Sequence, residues 1–182
     1  MQKVKFVFVR EWNWRPACRG DIEAIDRIQC TVHRDHAEAP EVLLERLELC
    51  PEGCFVLEQD ETICGYVLSH PWIRRSPPPI DTLLGSIPDA SDIWYLHDLA
   101  LLLETRGSGA GSGIAALLAR QAKQAGYETA ALISINGSQG FWQRQGFSAH
   151  REAALAHKLA TYGGQAVYME KDLFADAIRL SA

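Results

Sequence analysis

The stretch from Ile93 to Leu118 constrains the fold of this chain more than any other. It begins with the apolar run I-W-Y-L, continues into R-G-S-G-A-G-S-G, where every second residue is glycine, and ends in a helical pattern of apolar residues. A strand, a glycine-rich turn and a helix start in this order aim unpaired backbone N–H groups outward at the positive end of the helix dipole. The stretch therefore predicts an anion site of the kind that binds phosphate.

The remaining pattern alternates between short strands and amphipathic helices, with no internal repeat and no linker that would divide it. Strands are predicted at 3–10, 54–58, 62–69, 129–135, from 147 and at 166–173, and helices at 21–33, 40–49 and 113–126. After a turn at 136–138, a short helix capped by Asn136 or Ser138 is predicted to run to about 145. The parts left irregular are the turn 12–19, the proline-rich segment 70–92 and the variable segment 151–164. Antiparallel strands mixed with crossover helices predict one α+β domain over 1–182.

Composition narrows the classes of function. The 182 residues carry a net charge of −5, which argues against a broad surface for nucleic acid. No apolar run is long enough to span a bilayer, and the N-terminus lacks a signal-peptide pattern, so we expect a cytoplasmic protein with no membrane partner. Cys50 and Cys54 have no second pair at zinc spacing, so we expect reduced, mostly buried thiols and no metal site.

The glycine-rich segment can be compared with three kinds of phosphate-binding loop. A nucleoside-triphosphate loop needs a lysine after its last glycine, and no lysine lies between Lys5 and Lys123. A dinucleotide fingerprint is closer, because 111–116 satisfies the loose form G-x-G-x-x-A. However, the next strand ends Ser134-Ile135-Asn136, without the carboxylate that would bind a ribose hydroxyl.

A third loop type matches more of the chain. Arg106 to Gly111 reads R-G-S-G-A-G and resembles the acyl-CoA loop [RQ]-x-x-G-x-[GA] of the Gcn5-related N-acetyltransferase (GNAT) superfamily. Leu99-Ala100-Leu101 is similar to the L-A-V that many members carry upstream. Asn136 followed by F-W-Q-R-Q-G-F at 141–147 resembles the family's N…(F/L)-Y-x-x-x-G-F segment.

The resemblance implies a fold and a cofactor. The fold would be a central mixed, mostly antiparallel sheet of about seven strands, splayed at the cofactor cleft and flanked by about four helices. The cofactor would be acetyl-CoA, with its pyrophosphate on the loop amides and its pantetheine arm along the preceding strand. The implied cofactor-binding residues are Leu99, Ala100, Leu101, Arg106, Gly107, Ser108, Gly109, Ala110, Gly111, Ser112, Asn136 and Trp142.

The catalytic residues are less clearly indicated. His97 and Asp98 precede the loop, where family members often place a base, and strict strand alternation would send only one of them into the cleft. Trp142 stands where many members have a tyrosine acid, and an indole cannot supply a proton. It would pack either on the cofactor arm or in the core. The tyrosines at 95, 127, 162 and 168 remain candidate substitutes for the acid, and the segment His70-Pro71-Trp72 with Asp81 either closes an acceptor pocket or packs as a surface loop.

Together these residues predict an N-acetyltransferase that moves an acetyl group from acetyl-CoA to a small-molecule amine by direct attack in a ternary complex. No Cys/His pair at nucleophile spacing points to a covalent intermediate. Two alternatives stay open, a non-catalytic acyl-CoA sensor and a protein or peptide N-acetyltransferase. The expected partner is the amine, with a homodimer left open.

Overall fold

The computed structural model describes residues 12–163 and 165–175 of the chain. The strands are β1 (Asn13–Pro16), β2 (Phe55–Gln59), β3 (Thr62–Trp72), β4 (Ile93–Leu101), β5 (Thr129–Ser134), β6 (Ser148–Ala149) and β7 (Val167–Asp172). The helices are α1 (Ile22–Val32), α2 (Pro40–Leu49), α3 (Ala110–Gln124), α4 (Gln139–Arg144) and α5 (Ala153–Ala160). Among these residues, no helix is both long enough and apolar enough to cross a membrane.

The seven strands form one open sheet in the order β1-β2-β3-β4-β5-β7-β6. Every neighbouring pair is antiparallel except β4 and β5, which are parallel because α3 crosses between them. This confirms the predicted mixed, mostly antiparallel sheet of about seven strands. In the described part of the chain five α-helices flank it, close to the expected number of about four.

Side-chain alternation along β4 divides the core between the two faces of the sheet. Trp94 and Leu96 face α3 and α4, where they pack with Ile114, Leu118 and Trp142. On the opposite face, Tyr66, Leu68 and Ala100 pack under α1 and α2, and Tyr95 packs with Tyr168 under α5. The second face therefore has two helical covers, α1–α2 on one side and α5 on the other.

Several predicted boundaries were wrong for identifiable reasons. The turn predicted at 12–19 contains β1, whose register pairs Trp14 with Leu57. The segment 151–164 contains α5, a short helix whose one buried residue, Leu155, gives little periodic signal. β3 runs on to Trp72, through Pro71, so only 73–92 is irregular between β3 and β4. The predicted strand 3–10 lies outside the described residues.

Candidate active site

The first component of the site is a gap between β4 and β5. The two strands pair in parallel at Trp94–Ala130, Tyr95–Ala131 and Leu96–Leu132, and their pairing stops there. β4 continues to Leu101 while still paired with β3 on its other side. The predicted splay is therefore present, and Leu99, Ala100 and Leu101 present one backbone edge that no described strand pairs. An extended ligand can pair with such an edge.

The second component is the glycine loop at the end of that edge. Gly107 and Gly109 have positive φ angles of 81° and 89°, a region that suits glycine. α3 begins at Ala110 rather than near Gly113, since Gly109 serves as its N-cap and accepts a hydrogen bond from the Gly113 amide at 2.9 Å. The amides of Gly111 and Ser112 consequently lie in the first helical turn, where N–H groups without a partner in the helix meet the positive dipole end.

Two side chains hold this loop in shape. The Ser108 hydroxyl donates to the Thr105 carbonyl at 2.7 Å and accepts from the Ala110 amide at 3.2 Å. Nε of Arg106 donates to the carbonyl of Leu101 at 3.2 Å, which keeps the exposed guanidinium beside the open edge of β4. Of the twelve predicted cofactor-binding residues, the ten in 99–101 and 106–112 therefore form one continuous surface.

The other two predicted cofactor residues come after β5 in the chain. Asn136 follows β5 with a positive φ of 52°. Trp142 is only 7% exposed and packs edge-on against Phe141 and Phe147, with ring centroids 4.9 and 5.4 Å away. This packing is that of a core aromatic, and its contact with a cofactor stays a prediction.

A β-bulge decides where His97 and Asp98 point. The register of β3 and β4 shifts between Leu68, which pairs with Asp98, and Ser69, which pairs with Leu96, so His97 is the extra residue. The expectation that these adjacent side chains face opposite sides was wrong, because the bulge resets the alternation. Both turn to the face covered by α1 and α2, as their partners show.

The partner of His97 is Glu38, in the connection between α1 and α2. Nε2 of His97 donates to Oε2 of Glu38 at 2.6 Å, and the amide of Asp81 donates to Oε1 at 2.8 Å. Burial works against the charge of Glu38, but His97 and the Asp81 amide outweigh it and hold the pKa of the carboxyl below its ordinary value. Glu38 is therefore ionised at neutral pH and fixes the orientation of the imidazole.

Asp98 makes a second, separate pair with a histidine. It accepts a hydrogen bond from the Tyr66 hydroxyl, and its Oδ1 lies 2.8 Å from Nε2 of His33, off the direct hydrogen-bonding direction. Burial opposes the charge of Asp98, but His33 and Tyr66 outweigh it and lower its pKa. Burial also opposes a charge on His33, yet Asp98 raises the pKa of that imidazole. Asp98 thus holds an imidazole, one of the roles the sequence left open.

The irregular segment after β3 closes this face from outside. Asp81 accepts from the Ala39 amide at 2.7 Å, Arg46 donates to the Thr82 carbonyl at 2.6 Å, and the Tyr162 hydroxyl donates to the Pro78 carbonyl at 2.6 Å. The segment therefore packs on α2 and on the α1–α2 connection. His70, Pro71 and Trp72, which were grouped with it, belong to the end of β3.

The four candidate tyrosines are dispersed. Tyr95 and Tyr168 are buried on the α5 face, and the Tyr168 hydroxyl accepts from the Arg75 amide at 3.0 Å. Tyr127 packs edge-on against Trp94 on the other face. Burial raises the pKa of all four hydroxyls, which makes each a weaker proton donor. The choice among them stays open.

Sequence reasoning missed three residues that complete the site. Glu38, His33 and Tyr66 lie far from His97 along the chain, in the connection from α1 to α2 and on β3. None of them stands in a local motif, so only the folded sheet brings them together. In the part of the chain that the structure describes, no group of three or more His, Cys, Asp and Glu side chains is arranged to hold a metal ion.

Solved structures with this fold share little sequence with the chain. The loading GNATL domain of CurA from Lyngbya majuscula superposes with a TM-score of 0.74 at 14% identity, over 90% of this chain and 98% of that one. Ard1 from Thermoplasma volcanium gives 0.67 at 14% identity, over 88% and 97%. N-acetylglutamate synthase from Neisseria gonorrhoeae, complexed with coenzyme A and N-acetyl-glutamate, gives 0.62 at 17% identity, over 90% and 35%.

Sequence comparison identifies a family for the chain but no individual relative of curated function. No protein of curated function matches the sequence at a significant level. The model of the acetyltransferase (GNAT) family matches residues 9–147, which include the glycine loop, the open edge of β4 and both histidine–carboxylate pairs. The chain therefore belongs to the acetyltransferase (GNAT) family, whose members are acyl-CoA-dependent acyltransferases.

Proposed function

We propose that the protein is an N-acetyltransferase that moves an acetyl group from acetyl-CoA to an amine of a small molecule, by direct attack in a ternary complex. The observation that carries this proposal is the position of His97. It is the first residue of β4 after the pairing with β5 ends at Leu96. A ligand arm that follows the open edge inward from the glycine loop ends beside this imidazole.

The residues present fit coenzyme A. The loop amides and Arg106 would hold the pyrophosphate, and the unpaired edge of Leu99 to Leu101 would hold the amides of the arm. Acetyl-CoA supplies a thioester, which is an activated acyl group. The protein's own task is to hold the amine beside it and to take its proton.

His97 is suited to take that proton. Its Nε2 donates to the ionised Glu38, so in the neutral ring the lone pair is on Nδ1. As the amine nitrogen bonds the acyl carbon, its proton moves to Nδ1, and Glu38 stabilises the imidazolium that forms. The proton then passes to the departing sulfur, which restores the neutral imidazole and releases a thiol. General-base catalysis of this kind contributes about 10²–10⁴-fold.

Segment 73–92 covers the face of the sheet that carries His97, and this cover favours a small-molecule acceptor over a peptide. The segment covers it through the contacts of Asp81, Thr82 and Pro78 with the α1–α2 connection, α2 and Tyr162. The fully buried guanidinium of Arg46 anchors that closure.

The test is thiol release from acetyl-CoA across a panel of amines, amino acids and peptides, with His97→Gln as the variant. We expect turnover with one class of amine, and a fall in kcat of about 100-fold or more in the variant with acetyl-CoA affinity unchanged. The matched control is His150→Gln, which follows β6 at the far edge of the sheet. Tight acetyl-CoA binding with no turnover on any amine would instead favour the sensor.

A further inference from the structure

Three aromatic rings meet beside Glu38 on the covered face of the sheet. His70 pairs in register with Tyr95 across β3 and β4, and the bulge brings His97 next to both. The ring centroid of His70 lies 5.7 Å from that of Tyr95 and 5.7 Å from that of His97. His70 has no exposed surface. A fully buried histidine next to the proposed base needs a physical explanation.

The protonation state of His70 follows from its contacts. Its Nδ1 lies 2.9 Å from the carbonyl oxygen of Pro71, which can only accept, so Nδ1 carries the hydrogen. Burial, followed by the neighbouring His97 and then Arg46, lowers the pKa of His70 to about 3. The ring is therefore neutral, and its second nitrogen, Nε2, presents a lone pair.

His97 has the opposite arrangement of hydrogen and lone pair. Its Nε2 donates to Glu38, so Nδ1 is the nitrogen with the lone pair. Both lone-pair nitrogens, Nε2 of His70 and Nδ1 of His97, are buried, and neither has a hydrogen-bond donor among the described residues. Two acceptors left unpaired in adjacent buried rings cost free energy that a suitable donor would recover.

One atom carrying two hydrogens can satisfy both acceptors. A neutral primary amine presents two N–H bonds, and its own lone pair remains available to attack a carbonyl carbon. A secondary amine presents only one N–H bond and would leave one imidazole unpaired. Sites built to hydrogen-bond a substrate group discriminate strongly against analogues that lack it.

We propose that Nε2 of His70 and Nδ1 of His97 together seat the reacting nitrogen of a primary amine, each lone pair accepting one of its N–H bonds. This rests on the proposed function and adds His70 as a specificity-determining residue. When the nitrogen–carbon bond forms, the N–H directed at His97 breaks and its proton stays on Nδ1. The N–H directed at His70 is retained and becomes the amide N–H of the product.

The surroundings explain why the two histidines differ in role. His97 has the ionised Glu38 at 2.6 Å to stabilise a positive charge, whereas His70 has a backbone carbonyl on one side and Arg46 nearby. His70 therefore holds the nitrogen and does not take its proton. The ring of Trp72 lies edge-on to that of His70, with the two ring centroids 5.4 Å apart.

The kinetic test compares matched primary and N-methylated amines with acetyl-CoA. Two pairs are used, phenethylamine with N-methylphenethylamine and lysine with Nε-methyllysine. In His70→Phe, which keeps a ring and removes the lone pair, we expect kcat/KM for the primary amine to fall about 10- to 100-fold, while the methylated amine loses little. In His70→Gln, whose carbonyl oxygen replaces Nε2, the wild-type preference should return.

The control for the ratio is His150→Phe, which should leave the preference for primary amines unchanged. Thermal unfolding of each variant shows whether it is folded. If His70→Phe lowers the rates for both members of a pair by the same factor, His70 only supports the fold and the seat is overturned.

A second measurement needs no turnover. In protein labelled with ¹⁵N-histidine, Nε2 of His70 should resonate as an unprotonated nitrogen, and phenethylamine should shift both it and Nδ1 of His97. Shifts without thiol release in the amine panel would retain the seat and reject the proposed acetyl transfer. An absence of shifts at both nitrogens would overturn the seat even if acetyl transfer occurs.

Discussion

The two halves of the cleft are built in different ways. On the cofactor side, the groups that would contact the ligand are mostly backbone amides, and they belong to consecutive residues between Leu99 and Ser112. On the side proposed for the acceptor, the groups are side chains that come from β3, β4 and the α1–α2 connection. A site made of consecutive backbone is visible in a sequence, whereas a site made of converging side chains appears only in the folded sheet.

The two halves should also fail differently when they are changed. Backbone sites are lost when the chain cannot take its local path, so substitutions there should abolish cofactor binding. Side-chain sites are lost group by group, so substitutions there should reduce turnover and leave cofactor affinity unchanged.

The largest effect is expected from Gly111→Val. A Cβ at this buried position would lie 3.2 Å from the Phe141 ring and 3.3 Å from the side chain of Leu101. The two further methyl groups of valine would have to displace these side chains or the first turn of α3. We expect acetyl-CoA affinity to fall by at least about 100-fold, because overpacking costs about 1–3 kcal/mol and the amides lose their alignment. Calorimetric titration measures this.

The matched control is Gly113→Ala, two residues further along the same helix. A Cβ there meets no atom within 4 Å, so its affinity should stay within a few-fold of wild type. Unchanged affinity in Gly111→Val would contradict a backbone-built cofactor site.

An intermediate effect is expected from Glu38→Gln on the acceptor side. The amide still reaches His97 but carries no charge to stabilise the imidazolium, so kcat should fall about 10- to 100-fold with the dissociation constant of acetyl-CoA unchanged. Steady-state kinetics with calorimetry measures both. Glu41→Gln, at an exposed position in the first turn of α2, is the control. A loss of acetyl-CoA affinity in Glu38→Gln would contradict the prediction that the two halves of the cleft act independently.

The smallest effect is expected in the stability of the His33–Asp98 pair. Asp98 raises the pKa of His33 against the effect of burial, so the imidazolium stabilises the fold below the unfolded-state pKa of about 6.5. This contribution is lost as the pH rises through the raised folded-state value. His33→Gln should therefore lower the free energy of unfolding by about 1–2 kcal/mol at pH 6, and by less at pH 9.

Urea unfolding at the two pH values measures this difference, with His157→Gln in an exposed position of α5 as the control. A deficit of the same size at both pH values would show that the charge on His33 contributes nothing.

The same contrast explains how far the sequence could be interpreted. The glycine loop, the strand before it and the helix after it lie within one stretch, and their order alone predicts the anion site and the fold around it. The start of α3 was placed too late, because a glycine-rich first turn resembles a loop in sequence although the N-cap geometry of Gly109 makes it helical.

The orientation and the partners of His97 and Asp98 could not be predicted from the sequence, for two physical reasons. A bulge adds one residue to β4 and interrupts the two-residue period of strand alternation. His97 and Asp98 therefore lie on the same face of the sheet, whereas the sequence pattern predicts opposite faces. Their partners Glu38 and His33 follow a helix that shows only an ordinary apolar stripe. A contact across such distances in sequence has no local signature, and only the paired register of the sheet defines it.

Glu38 joins segment 73–92 to the sheet through both oxygens of its carboxylate. One of its oxygens accepts from His97 and the other from the Asp81 amide in segment 73–92. Burial alone would raise the pKa of this carboxyl, and these two donors together hold it below its ordinary value. The orientation of the imidazole and the position of the segment therefore depend on one and the same buried charge.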